Sequence, residues 1–233
     1  TSGFELFRGG GTPSLRVDTG NGTVNSLLIQ GSEDVTVNSW QHVAVVRSGS
    51  TLTLYKDGVS IGSTTNSATF SGTLVIGGEW FNGALNGSIT GYMNDFRISD
   101  TARYTSNFTT EVTAIDANHK IVLDGATTDS SDSAHSLTFA GNANILTKTA
   151  GHSMSFDGND YMTIPDNSDF DFSSSSFTIE MWIKFDAAGL DGSFNHILNK
   201  SQASNGYELY VNDAGKFIFE AGSGGWLPTV ESN

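Results

Sequence analysis

Apolar and polar residues alternate at a period of two along most of the chain. Residues 39–47 read Ser-Trp-Gln-His-Val-Ala-Val-Val-Arg. Trp40, His42, Ala44 and Val46 fall on one face, and Gln41, Val43, Val45 and Arg47 on the other. Apolar residues on both faces predict an inner strand of a two-layer structure, with Trp40 in the core. Two alternating runs, 52–55 and 59–61, flank Lys56-Asp57-Gly58, and Asp-Gly in that setting predicts a tight hairpin. Residues 73–76 form a strand that ends in Gly77-Gly78, and Phe96-Arg97-Ile98 and Ile121-Val122-Leu123 form two more. In residues 177–185, Phe177, Ile179, Met181, Ile183 and Phe185 share one face. This is a long core-facing strand, and Trp182 within it is also expected in the core. Residues 136–139, 153–156, 161–164, 196–198 and 216–219 continue the pattern. Residues 99–104 read as one short helical turn capped by Ser99 or Asp100. Many short strands separated by turn signals predict an all-β fold of two antiparallel sheets packed face to face.

One pattern recurs near both ends. Gly3-Phe4-Glu5-Leu6-Phe7 returns as Gly206-Tyr207-Glu208-Leu209-Tyr210, in the same alternating phase. Self-similarity over so long a distance points to whole domains in series. Residues 1–112 are then expected to be the C-terminal part of one repeat and 113–233 the N-terminal part of the next. Packed against each other, the two parts would make one permuted sandwich; otherwise each needs further sequence. Residues 107–116, polar and without periodicity, are the expected join. The first residue is Thr rather than Met, as expected of a fragment.

Composition narrows the function. The 233 residues are 37% hydrophobic, with 15 Phe, 6 Tyr and 4 Trp, enough for one aromatic-rich core. The net charge of −14 opposes binding to nucleic-acid phosphates. With no Cys, a disulfide framework is excluded, which fits a viral or bacterial source. No apolar run is long enough to insert in a membrane as a helix, and none resembles a signal peptide. Asn21, Asn86 and Asn107 begin glycosylation-type triplets, a short pattern with little weight in such a source.

Trp40 to Arg47, Leu54-Tyr55-Lys56-Asp57-Gly58, Ile76-Gly77-Gly78, Phe96-Arg97-Ile98-Ser99 and Ala102-Arg103-Tyr104 together resemble the second half of a laminin-G-like domain. That family belongs to the concanavalin A-like lectin/glucanase superfamily. Asp157-Gly158-Asn159-Asp160-Tyr161 through Pro165, followed by residues 177–183, resemble the first half of such a domain. The resemblance implies a two-sheet jelly roll. It also implies tandem repeats of the kind seen in phage structural proteins, such as tail fibres and capsid decorations, and in bacterial surface proteins. The expected setting is therefore a virion or, failing that, an extracellular bacterial surface. The expected partners are other virion or surface proteins, further copies of the chain, and host-surface glycans. A purely architectural spacer, or a secreted adhesin or polysaccharide-binding accessory module, are the rival readings.

Glycosidases on this fold resemble one another in carrying several carboxylates on one strand, and retaining chemistry needs two carboxyls about 5 Å apart. The candidate strand around Glu180 has no second acid at the required spacing, and the five His stand apart from any Ser or Cys nucleophile pattern, so no enzyme is expected. Asp157, Asn159, Asp160, Asp166, Asn167, Asp169 and Asp171 offer the oxygen types that calcium takes. The same residue types also simply make turns, and they lack the spacing of a helix-loop-helix calcium site. Pentraxin-like relatives imply a second calcium position, at Glu79 and Asn205. For glycans, Trp80, Phe81, Asn82 and Trp226 put aromatic and amide groups in Gly-rich loops away from strand periodicity.

Overall fold

The computed structural model describes residues 35–65, 73–81, 84–111, 114–125, 127–148, 151–186, 195–202, 205–212, 214–223 and 229–231. Among them the strands are β1 (Gln41–Ser48), β2 (Thr51–Lys56), β3 (Val59–Thr65), β4 (Leu74–Ile76), β5 (Glu79–Phe81), β6 (Ala84–Asn86), β7 (Thr90–Ser99) and β8 (His119–Leu123). There follow β9 (Thr138–Ala140), β10 (Asn144–Lys148), β11 (Gly151–Asp157), β12 (Tyr161–Ile164), β13 (Phe177–Phe185), β14 (Asn195–Gln202), β15 (Asn205–Val211), β16 (Phe217–Ser223) and β17 (Thr229–Glu231). One sheet runs β10-β11-β7-β13-β1-β2-β3, with β8 also paired to β7. The other runs β17-β16-β15-β14-β4-β12-β9. All their pairings are antiparallel, and the all-β two-sheet sandwich read from periodicity, a jelly roll by the resemblance, is the fold found.

Strands from either side of residue 112 interleave. β13 lies between β1 and β7, with Ala44 opposite Glu180 on one side and Arg97 opposite Glu180 on the other. β4 lies between β12 and β14 in the facing sheet. The alternating residues Ile179, Met181 and Ile183 of β13 meet Tyr207, Leu209 and Phe219 in one buried cluster. Phe172 stacks on Phe177 at 4.2 Å and on Tyr207 at 5.4 Å, tying the sheets together at one end. Phe4 lies outside the described residues, so only the second copy of the repeated pentapeptide is placed.

Residues 99–104 depart from expectation. They form no helical turn: β7 continues to Ser99, and 101–111 then runs irregularly over the outer face of the eight-stranded sheet. The reason is an apolar patch that needs cover. Ala44, Val46 and Tyr55 point outward and are buried beneath Ala102, Tyr104 and Phe108. Tyr104 and Phe108 stack with centroids 3.5 Å apart. The Arg103 amide donates to Thr178 Oγ1 at 2.9 Å, so its hydrogen bond goes to β13 instead of to a helix. Covering this patch also explains why β1 is apolar on both faces.

Trp40 and Trp182 are not core residues. Trp40 precedes β1 and is 43% exposed, and Trp182 is half-buried on the outer face. Alternation places both correctly on the His42 face, but the covering segment does not extend over them.

The covering segment 101–111 forms a strap that is anchored at the Asp57-Gly58 hairpin turn. Gly58 has φ +78°, and its carbonyl accepts the Phe108 amide at 2.9 Å. A Cβ on Gly58 would collide with the Phe108 carbonyl oxygen. A left-handed conformation alone costs a non-glycine residue about 1–2 kcal/mol. Gly58→Ala is therefore expected to lower unfolding free energy by more than about 2 kcal/mol in urea titrations. An unchanged midpoint would contradict the anchoring role.

Candidate functional site

The outer face of the eight-stranded sheet carries an open depression of about 450 Å³ lined by Trp40, Trp182, Asn94, Asp95, Arg97 and Asp124. Its polar floor is built by a bulge. Between Glu180 and Trp182 the β7–β13 register slips by one residue, so β7 carries an extra position. Asp95 sits there at φ +52°, a conformation Asp tolerates better than most residues. Its amide donates to Asn94 Oδ1 at 2.9 Å, and its carboxylate accepts from Arg97 Nε at 2.7 Å. The ion pair is largely buried, which holds both groups in place beside the two indoles.

Glu180, the acid at the centre of β13, is committed elsewhere. Its Oε2 accepts from Tyr104 Oη at 2.8 Å and lies 3.4 Å from His42 Nε2, under the strap. Burial pushes this carboxyl up, but the His42 and Tyr104 hydrogen bonds and the charges of His42 and Arg97 outweigh it and leave the pKa below the usual carboxylate value. Tyr104 is pushed up, first by burial and then by Glu180.

The acidic run 157–171 divides among three places. Asp166 and Asp171 both approach the fully buried Lys200 Nζ, at 2.8 and 3.1 Å. An ammonium thus stands where those two carboxylates could otherwise share a metal. Asp169 accepts from Ser133 Oγ at 2.9 Å and lies 3.1 Å from His135 Nε2. Asp157, Asn159 and Asp160 come together with Asn142, a residue the sequence reading passed over. Asp160, itself buried, accepts from the Asn142 and Asp157 amides at 2.7 and 2.9 Å. With its nitrogen turned inward, the Asn159 amide donates to Asp157 Oδ1, Asp160 Oδ1 and Asn142 Oδ1 at 3.1–3.3 Å. Asn142 Nδ2 also donates to Asp157 Oδ2 at 2.6 Å. A cation in the place of the Asn159 nitrogen would meet the same three oxygens, the ligand type that calcium takes, whereas the group around Lys200 already holds an ammonium.

The outer face of the seven-stranded sheet holds a third group. His196 Nε2 lies 3.4 Å from Glu208 Oε2 and 3.7 Å from Glu79 Oε2. Asn199 Nδ2 donates to Glu208 at 3.2 Å, and Tyr210 Oη donates to Glu220 at 2.9 Å on the next strand. Burial raises the Glu208 carboxyl, but His196, Glu220 and Asn199 outweigh it and hold it below the usual value. Glu79 thus meets Glu208 and His196, three residues along β15 from Asn205, which opens that strand opposite Gln202. Trp80 and Phe81 lie in the β5–β6 hairpin, paired with Leu85 and Ala84. Asn82 and Trp226 lie outside the described residues.

A laminin-G-like family model, of the concanavalin A-like lectin/glucanases superfamily, matches residues 1–107 and 156–233. The chain belongs to this family. No curated protein and no solved structure matches it. Laminin-G-like membership and the lectin-like sandwich fit a carbohydrate-binding or structural module. No helix among the described residues is long and apolar enough to cross a membrane.

The carboxyls give this domain a defined acid response. Asp116, bound by both terminal nitrogens of Arg103, is held down to about 2 chiefly by that hydrogen bonding. Asp116 and Glu180 both titrate lower folded than unfolded, where the values lie near 4. Their stabilisation is therefore present above about pH 4.5 and lost as pH falls toward 2. His119, held down by burial and by Arg103, acts in the same direction just below its ordinary value. Urea midpoints should fall between pH 5 and pH 2.5, less so in Asp116→Asn; a flat profile would contradict the assignment.

Proposed function

We propose that this laminin-G-like domain is a non-catalytic recognition module of a virion or bacterial surface, binding host glycans at the Trp40–Trp182 depression. The observation carrying this reading is Trp40, a large indole left 43% exposed beside a second indole and the fixed polar groups of Asn94, Asp95 and Arg97. Sugars present apolar CH faces to aromatic rings and hydroxyls to such polar groups. A wide, open floor suits an oligosaccharide better than a small, enclosed ligand. One feature supports a binding role over a catalytic one. A glycosidase acid needs a raised pKa, whereas Glu180, the central acid of the eight-stranded sheet, is held low by His42 and Tyr104 beneath the covering segment.

Glycan-array screening followed by titration of the best ligand tests this reading. Trp40→Ala should weaken binding about tenfold or more, about 1.4 kcal/mol, with the melting temperature unchanged. Loss in Trp80→Ala or Trp226→Ala instead would move recognition to those loops. No binding to any glycan by a folded chain would leave the spacer reading.

Calcium is proposed at Asp157, Asn159, Asp160 and Asn142. Added calcium should raise the melting temperature of the chelator-treated protein, and Asp157→Asn should abolish the rise. An identical melt with calcium and with chelator would remove the site.

A further inference from the structure

The group on the seven-stranded sheet has the makings of a different site. Glu79, His196 and Glu208 each offer one ligand atom, and the three atoms lie within 4.8 Å of one another. They come from three separate elements, β5, β14 and β15. A β-bulge between His196 and Leu198 lets Ile197 and Leu198 both be buried in succession while His196 turns to the carboxylates. The His196 amide is fixed by the Gly87 carbonyl, so the ring is presented from a tethered backbone.

The ring itself is only 6% exposed, and neither nitrogen makes an ordinary hydrogen bond. Nδ1 has no partner. Nε2 points between the two carboxylates at 3.4 and 3.7 Å, beyond the usual 2.7–3.2 Å of an N–H···O bond. These are spacings of a different kind of contact. Ligands about 2.1 Å from a tetrahedral zinc stand about 3.4 Å apart along each edge. The two edges from His196 are thus close to that spacing, and the two glutamate oxygens lie within 4.8 Å of each other, so rotation of the carboxylates would close the triangle around a metal. The donor set also selects among metals. An imidazole with two carboxylates suits zinc and its first-row neighbours, whereas calcium takes oxygen alone.

We infer that Glu79, His196 and Glu208 form a site for a divalent transition metal, with zinc the best fit and a fourth position left to water or an incoming ligand. His196 supplies Nε2, and each glutamate supplies one carboxylate oxygen. Asn199, already bonded to Glu208, orients that carboxylate from behind. The site lies on the opposite sheet from the Trp40 depression and is independent of it. It also differs in chemistry from the all-oxygen group at Asp157.

Calorimetric titration of the chelator-treated full chain with zinc sulfate tests the inference. One zinc per chain is expected to bind at micromolar affinity or tighter. Cobalt in its place should give the visible absorption of a four-coordinate ion. Glu208→Gln and Glu79→Gln, which keep side-chain size, should each weaken zinc at least about tenfold and alter the cobalt spectrum. Asp157→Asn should leave both readouts as they are, and excess calcium should not displace zinc. Absence of zinc binding by the folded chain would overturn the site. So would binding that survives both glutamine variants, or a cobalt spectrum that they do not change.

Discussion

Burial of β13 on both faces is the constraint on which the rest of the domain depends. Its inner side chains, Ile179, Met181 and Ile183, supply the middle of the core. Its outer side chains cannot simply face water, because Thr178 and Glu180 are buried as well. A central strand buried on both sides needs a second cover, and residues 101–111 provide it. The cover in turn supplies polar partners for the outward groups of β13 that it encloses. Thr178 Oγ1 accepts from the Arg103 amide and donates to the Thr101 carbonyl. Glu180 takes Tyr104 and His42. Buried polar groups left unpaired cost about 1–3 kcal/mol each, so strap and strand stand or fall together.

The same logic governs charge. An acidic chain of net −14 gains little from isolated surface ion pairs. Its few cations are instead placed where they hold structure. Arg47 is fully buried, lies over the Phe177 ring, and donates to the carbonyls of Phe172 and Ser175. It thereby ties β1 to the turn that leads into β13. Burial pushes its pKa down to about 10, which leaves it charged at neutral pH. Lys200 does the same for β14, drawing Asp166 and Asp171 onto the seven-stranded sheet. These acids are structural counter-ions of a buried ammonium.

Period-two alternation made most of the sandwich legible. β1, β2, β13 and β15 follow directly from which residues alternate, and the Asp57-Gly58 turn from its dipeptide. What alternation could not supply was the identity of the cover. It assigned Trp40 and Ala44 to one face without distinguishing the covered end from the open one. Helix-cap chemistry at Ser99 and Asp100 favoured a turn there, and a tertiary patch overrode that local preference. The acidic run shows a related limit. Its members are neighbours in sequence, but their partners, Lys200, His135 and Asn142, come from distant strands. Glu208 did carry one signal: a carboxylate between Tyr207 and Leu209 is a charge on a strand's outer face, and such a charge needs a partner. That His196 and Glu79 supply it depends on β4, β14 and β15 being adjacent, which no local pattern reveals.

The two sheets therefore expose surfaces of different character for one physical reason. On the eight-stranded sheet the strap covers the apolar half of the outer face and stops, leaving Trp40 and Trp182 beside polar groups fixed by the Asp95 bulge. On the seven-stranded sheet a bulge at Ile197 turns a histidine toward carboxylates from two other elements. A regular ladder would have buried or exposed these side chains strictly by alternation. Each bulge shifts that phase by one residue, which is enough to gather polar groups without disturbing the packed interior. Two further register shifts among the described residues, between Leu54 and Tyr55 and between Ile98 and Ser99, lie outside both groups. A bulge is thus not sufficient for such a site, but at Asp95 and at Ile197 the shift of phase is what brings side chains of different elements together.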